Sequence, residues 1–99
     1  MSGYYMLVGK KPVPCDLMTW ATLRSTANRH VAISEFEWGK VSTVFLGLDH
    51  QWFDGPPLLF ETMIFGGPLD QEMDRYSTWE EAEAGHKAMV EKAIAAASV

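Results

Sequence analysis

Four side chains of this sequence are of the types that move protons or hold metal ions: Asp49, His50, Glu61 and His86. Carboxylate and imidazole together support zinc binding or general acid–base hydrolysis. Zinc sites usually announce themselves by ligand spacing, such as two histidines one helical turn apart, and His50 and His86 have no such relation. A small hydrolase pairing His50 or His86 with Asp49 or Glu61 is therefore a minor alternative, and no metal ligand or catalytic residue is assigned. The simpler expectation makes His50 a loop residue bonded to backbone and His86 a part-buried member of a helix stripe. Glu61 sits on one face of an apolar strand between Leu59, Met63 and Phe65. A desolvated carboxylate there needs a partner, with Arg75, Arg24 or a histidine as candidates, and a structural ion pair is the favoured expectation.

Recognition chemistry is better represented than catalysis. Trp52 and Phe53 lie next to Gly55-Pro56-Pro57, an aromatic tip on a constrained turn of a kind common at interfaces. With Asp49, His50, Arg75, Tyr76 and the helix start at Trp79, they form the expected surface for another protein. A second possibility uses His50, Glu61, Arg75, Tyr76 and Trp79 to stack on and hydrogen-bond a nucleotide-like small-molecule signal in a pocket between protomers. No cofactor is expected. Asp70, Glu72 and Asp74 imitate the start of a calcium loop, but Arg75 stands where such a loop needs the glycine of its sharp turn. Cys15 is a lone thiol, so an internal disulfide is excluded, and reducing surroundings fit.

Charge narrows the partners. Six acids between Asp70 and Glu83 face one base, Arg75, so this segment alone matches the net charge of −5; elsewhere seven acids balance seven bases. Lys10-Lys11 is the only basic pair, and direct nucleic-acid binding, which needs a basic stripe to displace counterions, is not expected. The acidic run reads first as a solvated loop feeding a helix whose positive end it stabilises. A negative surface for a basic partner is the sharper alternative. No apolar run approaches the roughly 20 residues of a membrane span, and the N-terminus lacks the pattern of a signal peptide. A cytoplasmic protein is the resulting expectation.

These side chains need a scaffold, and 99 residues with 47% hydrophobic content suffice for one domain, 1–99, with a true core. The pattern predicts an α+β fold, an antiparallel sheet of three to four strands with two helices in the order β-α-β-β-β-α. Tyr4 to Val8 forms a short strand, ended by Gly9 and by prolines at 12 and 14. Asp16 caps a helix that runs to about Asn28, with Trp20 as its core anchor. Val31–Glu37 and Lys40–Leu48 make a hairpin turning at Trp38-Gly39, with Glu37 opposite Lys40, Glu35 opposite Ser42, Ile33 opposite Val44 and Val31 opposite Leu46. Ala32, Ser34, Phe36, Val41, Thr43 and Phe45 take the other face. Apolar residues occupy both faces, whereas a sheet with one wet side alternates more cleanly. Either a helix covers each face or one face packs against another protein, so a homodimer through a sheet face or edge is expected. Leu58–Phe65 supplies the third strand.

The last helix opens with two overlapping capping signatures, Ser77 with Glu80 and Thr78 with Glu81. Its inward stripe is Trp79, Ala82, His86, Met89, Val90 and Ala93, and its alanine-rich end, 93–97, should fray. Gly85, inside the helix, costs up to about 1 kcal/mol relative to Ala and points to the close approach of a backbone, with the sheet as the candidate. The helix–three-strand–helix order also occurs in double-stranded RNA-binding domains, but Glu80, Glu81 and Glu83 stand where those domains place a basic helix start.

At Val41–His50, Pro56–Met63 and Arg75–Ala82, with Gly85-His86, the chain resembles a family of small conserved proteins encoded by bacteriophages and prophages, usually without an assigned function. The resemblance covers about half the chain, and the Gln51–Gly55 loop departs from it. It implies expression in a bacterial host cytoplasm and carries over no catalytic residues. The preferred expectation is a small, non-enzymatic, phage-type binding protein acting on a host protein or pathway.

Overall fold

The computed structural model describes residues 3–26, 29–49 and 55–98. The fold is α+β, with two antiparallel sheets and two helices. β1 (Tyr5–Val8) and β2 (Lys11–Pro14) form a hairpin turning at Gly9-Lys10. The prolines at 12 and 14 were expected to end the strand at this point. They lie within β2 because a two-stranded ribbon has a free side on which a missing N–H costs nothing. α1 (Leu17–Thr26) follows, and Asp16 Oδ1 accepts from Thr19 N–H at 2.8 Å to cap it. A hydrogen bond from the Thr19 hydroxyl, and after it this backbone bond, holds the Asp16 carboxyl below its usual range.

The main sheet is a meander of β3 (His30–Phe36), β4 (Gly39–Phe45), β5 (Phe60–Gly66) and β6 (Met73–Tyr76), in the order β3-β4-β5-β6. The expected hairpin is present, but its register slips by two residues. Phe36 pairs with Gly39, Glu35 with Lys40 and Ile33 with Ser42, so Glu37-Trp38 forms the loop. Gly39 is consumed by the ladder rather than the turn. It pairs with Gly66 of β5 at φ +152°, and a Cβ there would overlap the Phe65 carbonyl. Trp38 folds back to stack on Phe36, with centroids 4.9 Å apart and planes 4° from parallel. A slip of two preserves side-chain direction, so the predicted faces survive. Val31 is the exception, because a bulge between His30 and Ala32 turns it inward against the cluster around Phe45.

β6 was not anticipated. Its four residues lie within the acidic run and alternate too briefly to stand out, yet Arg75 pairs with Glu61 and Tyr76 with Phe60. The acids around it have local duties. Asp70 Oδ1 accepts from Gly66 N–H at 2.6 Å, Asp74 Oδ1 from Arg75 N–H at 2.9 Å, and Glu72 pairs with Lys92 at 2.9 Å.

α2 (Trp79–Ala97) is fixed by the second of the two capping signatures. Thr78 accepts from Glu81 N–H, and the Glu81 carboxylate accepts from Thr78 N–H. The helix continues through the alanines expected to fray, because Ala93 is buried against Val41 and Ile64. α2 lies over one face of the sheet, burying Ala82, His86, Met89 and Ala93 on Val41, Phe45, Phe60 and Ile64. Each large aliphatic or aromatic side chain removed from water here contributes about 2 kcal/mol. α1 packs on β1 instead of on the main sheet. Among the described residues, no helix therefore lies over the opposite face of the sheet.

Candidate functional site

Register assigns every side chain of the main sheet to the covered or the uncovered face. On the uncovered side, Ile33 is 45% exposed, Phe65 41% and Met73 43%, while Met63 and Val44 between them are half-buried. Glu35 and Lys40 border this patch at one end. At the other, Arg75 Nε donates to Glu61 Oε2 at 3.0 Å between directly paired positions of β5 and β6. This is the ion pair the sequence called for, and both partners are largely shielded by neighbouring strands. Lys40 also lies 5.4 Å over the Phe65 ring, so a cation caps one edge of the apolar surface.

The covered face holds a buried polar seam. His86, only 6% exposed, bonds Ser34 Oγ through Nε2 at 2.9 Å and Thr43 Oγ1 through Nδ1 at 2.7 Å. Thr43 Oγ1 in turn bonds Thr62 Oγ1 at 2.5 Å. One neutral imidazole, a donor on one nitrogen and an acceptor on the other, satisfies this chain of hydroxyls. Desolvation pushes the His86 pKa below its ordinary value, since a proton added here would be a buried charge facing only hydroxyls. Tyr76 completes the seam at β6, where burial pushes its phenol up, opposed by contact with the Thr62 hydroxyl. The Tyr76 ring lies against the helix backbone at Gly85, where a Cβ would overlap ring and hydroxyl atoms. The close approach expected of a sheet backbone at Gly85 is instead made by a side chain of β6, the Tyr76 ring.

The candidate residues do not converge. Glu61 and Arg75 share the uncovered face, whereas Tyr76 and His86 sit beneath α2 on the other. A hydrolytic pair of His86 and Glu61 is therefore separated by the sheet itself. The same separation prevents Glu61, Arg75 and Tyr76 from lining one pocket of a single protomer. Asp49 Oδ1 accepts from Leu58 N–H at 3.1 Å and so ties two chain segments together. Trp79 packs edge-on to Phe60, with centroids 6.2 Å apart, beneath the Lys10 ammonium 5.6 Å from its ring. Its indole N–H is buried without a hydrogen-bond acceptor among the described residues. His50, Trp52 and Phe53 lie outside the described residues. Among those described, no three His, Cys, Asp or Glu side chains cluster as metal ligands, and no helix is long and apolar enough to cross a membrane.

Sequence reasoning missed Ser34 and Thr43 as partners of His86, and Thr62 as the hydroxyl that Thr43 bonds in turn. A signal existed, because the hairpin pattern had already placed Ser34 and Thr43 among apolar residues on the face the helix covers. Hydroxyls on such a face require a polar group opposite, and beyond Trp79 in the first turn the helix stripe offers only His86. Comparisons with protein-family models, with curated proteins and with solved structures return no match for this chain.

Proposed function

We propose that this chain is a small non-enzymatic binding protein, of the kind bacteriophages encode, acting on a host protein in the bacterial cytoplasm. Its working surface is the uncovered face of the four-stranded sheet. The observation that supports this is the uneven cover of the sheet. α2 shields one face, while the other presents Ile33, Phe65 and Met73, each more than 40% exposed, around half-buried Val44 and Met63. An antiparallel sheet with a permanently wet side alternates to polar residues there. An apolar patch that surrounds buried Ser42 and is bordered by Glu35, Lys40 and the Glu61–Arg75 pair has the anatomy of a protein-binding surface.

The homodimer expected from the sequence is assigned to a different part of the same sheet. β3 stands at its edge, and beyond the bulge at its start residues 32–36 run regularly with neither lysine nor proline to discourage pairing. Pairing of β3 with its copy would continue the sheet and leave the apolar face free for the partner. Light scattering at micromolar concentration then gives twice the chain mass, and the single-chain mass refutes the dimer.

Substituting Phe65→Glu together with Met73→Glu tests the binding surface. Both positions are well exposed, so stability should change by less than about 1 kcal/mol. A tagged double variant should fail to recover from bacterial lysate the protein that the unmodified chain recovers. Undiminished recovery by the folded variant contradicts the proposal.

A further inference from the structure

α1 is an unusual helix for a small domain, because none of its described side chains is fully buried. Trp20 ties it to the chain beyond β4 and to Tyr4, its Nε1 donating to Leu46 O at 3.4 Å and its ring packing on Tyr4 with centroids 5.2 Å apart. Beneath it lies a cleft of about 80 Å³. Tyr5 and Leu7 of β1, Trp20 and Leu23 of α1, and Phe45 and Leu46 at the end of β4 form apolar walls. An apolar cavity of about 150 Å³ takes a benzene ring, so this open cleft of about half that volume takes a short alkyl chain or the edge of a ring.

Two guanidinium groups join these walls, Arg24 and Arg29. Arg24 lies 5.2 Å from the Trp20 ring centroid, which flattens the cation against the cleft wall. Arg29 donates through Nη1 to Phe45 O at 3.4 Å, leaving its other N–H donors uncommitted to that contact. Neither forms an ion pair with a carboxylate among the described residues, although the chain has five more acids than bases. Two unneutralised guanidiniums beside one apolar cleft call for an anion, and their planar donor forks suit carboxylate and phosphate oxygens.

We propose that this cleft binds a small organic anion with an apolar body, its ring or chain under α1 and its headgroup between Arg24 and Arg29. The site is separate from the uncovered sheet face and stands or falls independently of the protein partner. Charge selects the occupant. A neutral molecule of the same shape gains the apolar contacts and forgoes the two charge-assisted contacts.

Titration of the full-length, isotope-labelled chain with 3-phenylpropionate, phenyl phosphate and neutral 3-phenylpropanol, followed by amide NMR, tests this. One or both anions should give saturable shifts at Leu7, Leu23, Phe45 and Leu46, with the alcohol binding at least about tenfold more weakly. Whichever anion binds tighter identifies the headgroup. The Arg24→Gln, Arg29→Gln double variant should lose about tenfold or more in anion affinity while binding the alcohol as before. Leu23→Phe, which fills the cleft, should abolish both and provides an independent check on the site. No saturable shift from either anion up to about 10 mM, equal binding of acid and alcohol, or shifts confined elsewhere overturns the proposal.

Discussion

Replacing Gly85 by Ala opposes two physical effects of comparable size. In the middle of a helix, alanine is favoured over glycine by about 1 kcal/mol, so propensity alone makes Gly85→Ala stabilising. The structure makes it destabilising, because the new methyl group would occupy the space of the Tyr76 ring and hydroxyl. Tyr76 is wedged between β6 and α2 and touches the Thr62 hydroxyl, so relief requires moving the ring out of a packed seam. Overpacking of this kind costs about 1–3 kcal/mol, and a disturbed hydrogen bond adds about 1 kcal/mol. The net effect is a loss of about 1–3 kcal/mol, or a thermal midpoint lower by roughly 5–15 °C in a domain of this size. Denaturant unfolding followed by circular dichroism on a four-protein cycle isolates the cause. In a Tyr76→Ala background the obstacle is gone, and Gly85→Ala should stabilise by about 1 kcal/mol. Stabilisation in the unmodified protein, or the same cost in both backgrounds, refutes the reasoning.

The hydroxyl seam gives a second prediction. Thr43→Val keeps the shape but strands His86 Nδ1 and the Thr62 hydroxyl in a dry interior, costing about 2–4 kcal/mol by chemical unfolding; a change under about 0.5 kcal/mol would remove the seam from the account. Because desolvation holds His86 below its ordinary value of 6.5, the unfolded chain gains a proton below that pH before the folded protein does. Stability should therefore fall as pH drops through about 6.5 and level off below the folded-state value, and His86→Gln should erase this component of the pH profile. An unaltered profile in that variant would show that His86 is not the titrating group. Thr78→Ala removes the capping box of α2 and should cost about 1 kcal/mol, whereas Ser77→Ala should be nearly silent; equal losses would contradict the assignment of the cap.

Much of this architecture was legible because local chemistry and long-range packing agree. The Thr78–Glu81 cap, the Asp16 cap and the two faces of the β3–β4 hairpin follow from residue type and spacing, with no knowledge of the rest of the chain. The hairpin register was not legible. Trp38-Gly39 looks like a turn, yet the glycine is required one strand away, where β5 crosses too close for any side chain. β6 was hidden for a similar reason, since four residues after an acidic turn become a strand only when β5 supplies the ladder. Glu61's need for a cation was visible, and Arg75 stood among its candidates. That His86 and Glu61 lie on opposite sides of the sheet depends on how α2 packs, which no local pattern encodes. The cleft under α1 was also invisible, because it forms where α1, β1 and the end of β4 meet, an arrangement no local pattern encodes.

Methionine oxidation tests the use of the uncovered face most directly, since the chain carries its own reporters. Met73 lies on that face at 43% exposure, Met63 is half-buried beside it, and Met18 on α1 is 74% exposed and remote from it. Peroxide labelling read by peptide mass spectrometry should show Met73 and Met63 protected in bacterial lysate relative to the purified chain, with Met18 oxidised equally in both. Equal oxidation of Met73 in the two settings would mean that nothing in the lysate covers this face, and the proposed function would be wrong.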